Sequence, residues 1–269
     1  MNQKNFKKVG ISVSEPPDED LKKNGLTIYH LRDFIIELTR FLISNNTQII
    51  YGGALDYNLG KINFTQVLIE LAENYYVGYS KQQENIPIPL LINFSAYPYC
   101  KPIKENEVNL KAKFKIEDDK YLVNFKFFPE NCKGIDVDSE KCKYLSEMRK
   151  AMSEYEDARV LAGGKLEGSS CKYSGILEEA LYAIQNKKPL FLVGTFGGAT
   201  KKIIELLEDK ENEFVDKEIN GLKVREIIKP DLLSNNKLNP LSFEENKKLF
   251  QSKNIHELVF LIIKGIKNL

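Results

Sequence analysis

ARVLAGG (Ala158–Gly164), then GILEEA (Gly175–Ala180) and PLFLVGTFGGAT (Pro189–Thr200), decide the fold of this 269-residue chain. Two short apolar runs each lead into a glycine pair, and each pair is followed by helix-forming sequence. Strand, tight turn and helix are therefore predicted twice in succession. Repeated units of this kind imply a parallel sheet with right-handed crossovers and helices on both faces.

The same rhythm extends outward. Lys8–Ser14 (KVGISVS) reads as a first strand, ended by Pro16-Pro17. Leu26–Ser44 carries apolar residues at helical spacing, Gln48–Gly52 (QIIYG) is a second strand, Phe64–Tyr76 a helix and Pro89–Ser95 a third strand. Tyr144–Glu154 is predicted helical and Ala158–Ala162 is the fourth strand. Gly175–Gln185 and Thr200–Leu207 are helices on either side of a fifth strand, Pro189–Gly194. One segment breaks the rhythm. Residues 109–128 contain two alternating runs around Glu117-Asp118-Asp119, which predicts a β-hairpin inserted over about 104–132 or an edge ribbon. Leu241–Phe250 and Ile255–Ile266 form a helical extension (about 241–269), with Ser242 and Glu245 spaced as a capping box. The expectation is one α/β domain of Rossmann type over residues 1–269.

Composition narrows the function. Lys+Arg is 39 against Asp+Glu at 38, so no global field attracts nucleic acid or an acidic membrane. No run reaches the ~20 apolar residues of a membrane span, and the N-terminus has no secretory signal pattern. Cys100, Cys132, Cys142 and Cys171 lack C-x-x-C spacing, which argues against a metal site and favours reduced thiols in the cytoplasm.

In parallel sheets, ligands bind beyond the carboxyl ends of the strands. Gly52-Gly53, Gly163-Gly164 and Gly197-Gly198 all stand there. Glycine admits close backbone approach, and a following helix N-terminus favours an anion. None of the pairs fits G-x-G-x-x-G or the P-loop pattern. Ser12, Ser14, Ala54, Asp56 and Asn58 share the predicted ligand side.

Met148-Arg149-Lys150-Ala151-Met152, the strand, Gly163-Gly164 and Gly175-Ile-Leu-Glu178-Glu179 together resemble the LOG family of phosphoribohydrolases. That family's pattern runs M-x-x-R-K-x-x-M, a strand, then P-G-G-x-G-T-x-x-E. Tyr51-Gly52-Gly53 resembles its first phosphate loop. The wider resemblance, over about Lys8–Leu207, is to the SLOG superfamily. It includes DNA-processing proteins, TRPM sensor domains and Thoeris-type defence sensors, and this chain looks closest to the bacterial conflict-system branches. The resemblance implies that Arg149 contacts ligand and that Glu179 supports glycosidic-bond cleavage where there is an enzyme. It places Ser12, Ser14, Gly52, Gly53, Ala54, Gly163, Gly164, Gly175 and Glu178 around the ligand. Ala162 and Ile176 depart from the motif, and Lys165–Ser174 stand where the pattern has a single residue. Lys165 and Lys172 bring two ammonium groups with that loop, so Lys165 is a further candidate contact.

Two readings follow. One is a sensor of a nucleotide-derived signal, such as a cyclic ADP-ribose isomer or another NAD product, in an anti-phage or stress system. The other is a hydrolase of an N-glycosidic bond in a nucleoside monophosphate or NAD. Neither calls for a cofactor or a metal. The resemblance also implies a homodimer or homotetramer, with a TIR-like or other effector as an alternative partner.

Overall fold

The computed structural model describes residues 6–55, 62–79, 88–130, 140–168 and 171–269. It is an α/β fold with a six-stranded parallel sheet in the order β6-β3-β2-β1-β7-β8, flanked by helices. The strands are β1 (Lys8–Ser14), β2 (Gln48–Gly52), β3 (Leu91–Ala96), β6 (Val123–Phe128), β7 (Ala158–Gly163) and β8 (Leu190–Val193). β4 (Lys115–Glu117) with β5 (Lys120–Tyr121), and β9 (Glu218–Ile219) with β10 (Leu222–Lys223), form two small antiparallel ribbons. The Rossmann-like class read from the sequence holds.

The chain divides into two compact units. One comprises Met1–Gly10 and Leu38–Glu156, the other Ile11–Glu37 and Asp157–Leu269. The cut falls within β1 and within α2 (Ile28–Ser44).

In the first unit, β2 pairs in parallel with β3 (Ile50 opposite Ile92), and β3 with β6 (Phe94 opposite Lys126). Ile50, Ile92, Phe94 and Ala96 bury against Met148 and Met152 of α6 (Lys141–Tyr155). α3 (Phe64–Tyr79) completes the βαβ crossover. The expected hairpin near 109–128 forms, shorter than the two runs suggest: β4 pairs antiparallel with β5 around Asp118-Asp119. The stretch before it is helical: α4 (Cys100–Glu105) is followed by α5 (Glu107–Phe114). Lys104–Glu107 and Glu107–Lys111 ion pairs, three and four residues apart, suit a helix better than a ribbon. The run after it, β6, is a strand of the main sheet. It holds the edge of the sheet, with Asn124 exposed and its other residues buried or half-buried.

In the second unit, β7 and β8 pair in parallel and are buried along their length. They pack with α7 (Gly175–Gln185) and α8 (Gly198–Leu207). α1 (Asp18–Lys23) was not expected, because Pro16-Pro17 read as a stop. Pro17 instead caps a short helix with three acidic residues in its first turn and two lysines in its last, the order that a helix dipole favours. After α9 (Val224–Ile227) and α10 (Asp231–Ser234) come α11 (Phe243–Gln251) and α12 (Ile255–Lys267). The capping box at α11 forms: Ser242 N–H donates to Glu245 at 3.0 Å, and Glu245 N–H donates to Ser242 Oγ at 3.3 Å. On α12, Gly265 lies against the Phe191 ring, where a Cβ would come within 2.7 Å of Cζ. Leu258, Leu261, Ile262 and Ile266 bury on the same helix, each contributing about 1.5–3 kcal/mol.

Cys100, Cys142 and Cys171 are disulfide-bonded, which corrects the expectation of reduced thiols. Spacing along the chain could not show which sulfurs the fold would bring together. Among the described residues, no helix is long and apolar enough to cross a membrane.

Candidate functional site

In the second unit, two of the three glycine pairs close on one another. β7 ends at Gly163, and the Gly164 N–H donates to the Ser14 carbonyl at 2.9 Å, fixing the ends of β7 and β1 side by side. The Ala199 N–H donates to the Gly164 carbonyl at 3.0 Å. Gly164 has φ +102° and Gly198 φ +63°, values that L-residues rarely adopt. A Cβ on Gly164 would come within 2.5 Å of Ile176 Cδ1, and one on Gly198 within 3.0 Å of the Gly163 carbonyl carbon. The Gly198 N–H donates to Asp20 Oδ2 at 2.8 Å. The result is an arch of main chain with the first turns of α7 and α8 behind it. Gly197-Gly198 therefore packs with Gly163-Gly164. Adjacent strands each ending in Gly-Gly were the signal for this.

Among the described residues of this unit, the buried hydroxyls of Ser174, Thr195 and Thr200 have no hydrogen-bond partner. Ser174 is the N-cap residue of α7, yet its side chain makes no capping bond. Thr200 follows the Ala199 amide of the arch. Buried polar atoms without partners are rare and mark places where water or ligand is accommodated.

Ser12, Glu179 and Arg159 form a closed triangle. Arg159 rises from β7 with no exposed surface. Its Nη1 donates to Glu179 Oε2 and to Ser12 Oγ, each at 2.6 Å, and Ser12 Oγ donates to Glu179 Oε2. Arg159 was not among the sequence candidates. Its signal was a single charge inside an apolar strand, since such a residue is buried only with a partner. Glu178, also fully buried, accepts from Asn220 Nδ2 at 2.8 Å, and the same nitrogen lies 3.1 Å from Tyr182 Oη. Asn220 takes φ +51° in the turn of the β9–β10 ribbon, so that ribbon is tied to the first turns of α7. Burial pushes the Tyr182 phenol above its ordinary value, and the neighbouring Glu178 carboxylate adds to the rise.

The loop from Lys165 to Ser174 is anchored to its own unit. Leu166 and Tyr173 pack on the core, and Cys171 is buried. Lys165 and Lys172 are exposed. Residues 169–170 lie outside the described residues. Gly175 opens α7 at the end of this loop.

In the first unit, the glycines of Tyr51-Gly52-Gly53 are set by close packing. A Cβ on Gly52 would lie 2.7 Å from Met152 Sδ and 3.1 Å from Met148 Cε. The Gly53 N–H donates to the Phe94 carbonyl at 3.2 Å, and Asn93 Nδ2 donates to the Gly53 carbonyl at 3.1 Å. Both main-chain polar groups of Gly53 are thus already engaged within the unit. Ala54 follows, its carbonyl accepting from Asn63 Nδ2 at 3.4 Å. Arg149 is half-buried on α6, between the two methionines that cover Gly52. Asp56 and Asn58 lie outside the described residues.

The structure thus brings Ser12 to Glu179, and Ser14 to Gly163 and Gly164. It sets Gly52 against the helix that carries Arg149. Comparison with known proteins adds the lineage. No curated protein matches the chain. The family described as SLOG cluster 2 does, over residues 3–258. With nearly its whole length matched and a Rossmann-like sheet behind its glycine turns, the chain belongs to the SLOG family, cluster 2.

Proposed function

We propose that this protein is a sensor that binds a nucleotide-derived, phosphate-bearing signal, such as a cyclic ADP-ribose isomer or another product of NAD. Membership of SLOG supports a nucleotide-related role. The observation that carries binding over cleavage is the state of Glu179. Its carboxylate is held by a fully buried arginine and by the Ser12 hydroxyl. A general acid or base must reach the proton it transfers. A carboxylate locked to a guanidinium is better suited to fixing the first turn of α7 beside the arch. The first turns of α7 and α8, behind the Gly163-Gly164 and Gly197-Gly198 turns, present positive helix ends to phosphate oxygens, next to hydroxyls without partners. Lys165 is the cationic contact of this reading. Self-association as a homodimer or homotetramer, and control of a separate effector, belong to the same proposal.

A thermal-shift screen of the full chain against AMP, ADP-ribose, NAD and cyclic ADP-ribose isomers tests it, with free base followed by chromatography. A ligand at 100 times its Kd stabilises the fold by ~2.7 kcal/mol. The expected result is such a shift without base release, and loss of the shift in Lys165→Ala. Base release that disappears in Glu179→Gln would replace the sensor with a hydrolase. No shift with any nucleotide would remove the proposal altogether.

A further inference from the structure

The sequence contains two Asn-Gly pairs, Asn24-Gly25 and Asn220-Gly221, and both fall in the second unit. Asparagine is among the chemically labile residues. Before glycine it is most exposed to loss of ammonia, because the main-chain nitrogen of the glycine reaches the side-chain amide carbon with no Cβ in the way. What that nitrogen is already bonded to decides between the two pairs.

Asn24 ends α1, and the Gly25 N–H donates to the Lys22 carbonyl at 3.0 Å in the closing turn. Asn24 is half-buried, and its Nδ2 donates to the Thr195 carbonyl at 2.8 Å. Asn220 and Gly221 instead make the two-residue turn of the β9–β10 ribbon, both exposed, with φ +51° and +79°. Asn-Gly is favoured in such a turn because both residues take positive φ. Ile219 pairs with Leu222 across it, which leaves the Gly221 N–H outside the ladder and, among the described residues, without an acceptor. A Cβ at Gly221 would have nothing within 4 Å, so solvent reaches that nitrogen. Only the amide of Asn220 is held: its Nδ2 donates to Oε1 of the fully buried Glu178 at 2.8 Å and lies 3.1 Å from Tyr182 Oη.

We propose that Asn220 is a deamidation site, and that its conversion to an acid releases the β9–β10 ribbon from the first turn of α7. The Gly221 nitrogen gives its proton to solvent base and bonds to Asn220 Cγ. The Cγ–Nδ2 bond breaks, and ammonia leaves with a proton from solvent. Water then opens the five-membered imide. Attack at Cγ gives aspartate, and attack at the main-chain carbonyl gives isoaspartate. The net exchange is one water in and one ammonia out, with no change of oxidation state. A donor to Glu178 thereby becomes a carboxylate facing a carboxylate, and like charges at that distance disfavour each other's ionised form. Isoaspartate also lengthens the main chain by one carbon within the turn.

The test incubates the full chain at mildly alkaline pH in ¹⁸O-labelled water and maps the label by peptide mass spectrometry. Hydrogen exchange of the ribbon amides and the melting temperature are followed in parallel. Label should enter at Asn220 at least about tenfold faster than at Asn24, a barrier difference of about 1.4 kcal/mol. Gly221→Ala, whose Cβ meets no neighbour but crowds the attacking nitrogen, should slow the reaction at Asn220. Freshly prepared Asn220→Asp should show the faster ribbon exchange and lower melting temperature that the aged wild type acquires. Label at Asn24 first, no label at Asn220, or an unchanged rate in Gly221→Ala would overturn the site. Label at Asn220 with exchange and melting unchanged would overturn the release of the ribbon.

Discussion

The Arg159 guanidinium, with no exposed surface, donates to the Glu179 carboxylate at 2.6 Å. Breaking such a pair from one side strands the other charge in a low-dielectric interior, at about 3–5 kcal/mol. Arg159→Met and Glu179→Leu should each lose stability on that scale in urea unfolding. The double variant should be far less unstable than the sum of the two, because neither charge is then left alone. Simple additivity would show that the two residues act independently.

Among the glycines, sign as well as size is expected to vary. Gly198→Ala places a Cβ against the backbone of Gly163 at positive φ and should cost about 2 kcal/mol or more. Gly164→Ala meets a flexible Ile176 side chain and should cost less. Gly78→Ala, in α3 with nothing within 4 Å, should stabilise by about 0.5 kcal/mol. Thermal melts of the three variants check this order.

Asn220 has two roles that a pair of variants separates. Asn220→Ala removes the bond to Glu178 and puts alanine at φ +51°, at a cost of about 1–3 kcal/mol. Asn220→Gly keeps the backbone conformation and loses only the side-chain bonds. Equal melts would mean that the hydrogen bonds carry the effect. A milder glycine variant would mean that the turn conformation does.

Acid should loosen the C-terminal helices through Glu245. The Lys264 ammonium, 2.5 Å from its carboxylate, and the Ser242 N–H lower Glu245 to about 2. A depressed carboxylate stabilises the fold above its unfolded pKa and loses that contribution as pH falls through the folded value. The window therefore runs from about 4.5 down to about 2. Because the pair is largely solvated, the contribution is about 1 kcal/mol at most. Glu245→Gln should be less stable than the wild type at pH 7 and should approach it near pH 2, as measured by unfolding at both values.

The strands and main helices were legible because both periodicities are strong in this chain. KVGISVS, QIIYG and ARVLAG are short apolar runs ended by turn residues, and each forms the strand expected of it. Residues 109–128 were legible in part: the hairpin around Asp118-Asp119 forms, but Leu110, Ala112 and Phe114 alternate while the surrounding charges pair at helical spacing, and that stretch is helical. α1 was hidden by Pro16-Pro17, since a proline that ends a strand can also begin a helix. In the site, Ser12, Ser14, Gly163, Gly164 and Glu179 were reached from motif and position. Arg159 and Asn220 were not, because each acts across a distance in sequence that no local pattern records.

The closure of Gly163-Gly164 on Gly197-Gly198 has a bearing on how a protein of this kind diversifies. Whatever meets that arch meets main-chain atoms, and main-chain atoms are the same whatever the codon. Substitution there can only damage the turn. New preferences in what is held must be written in the neighbouring side chains, and Lys165 and Lys172 are exposed positions on the loop that leads from the arch to α7.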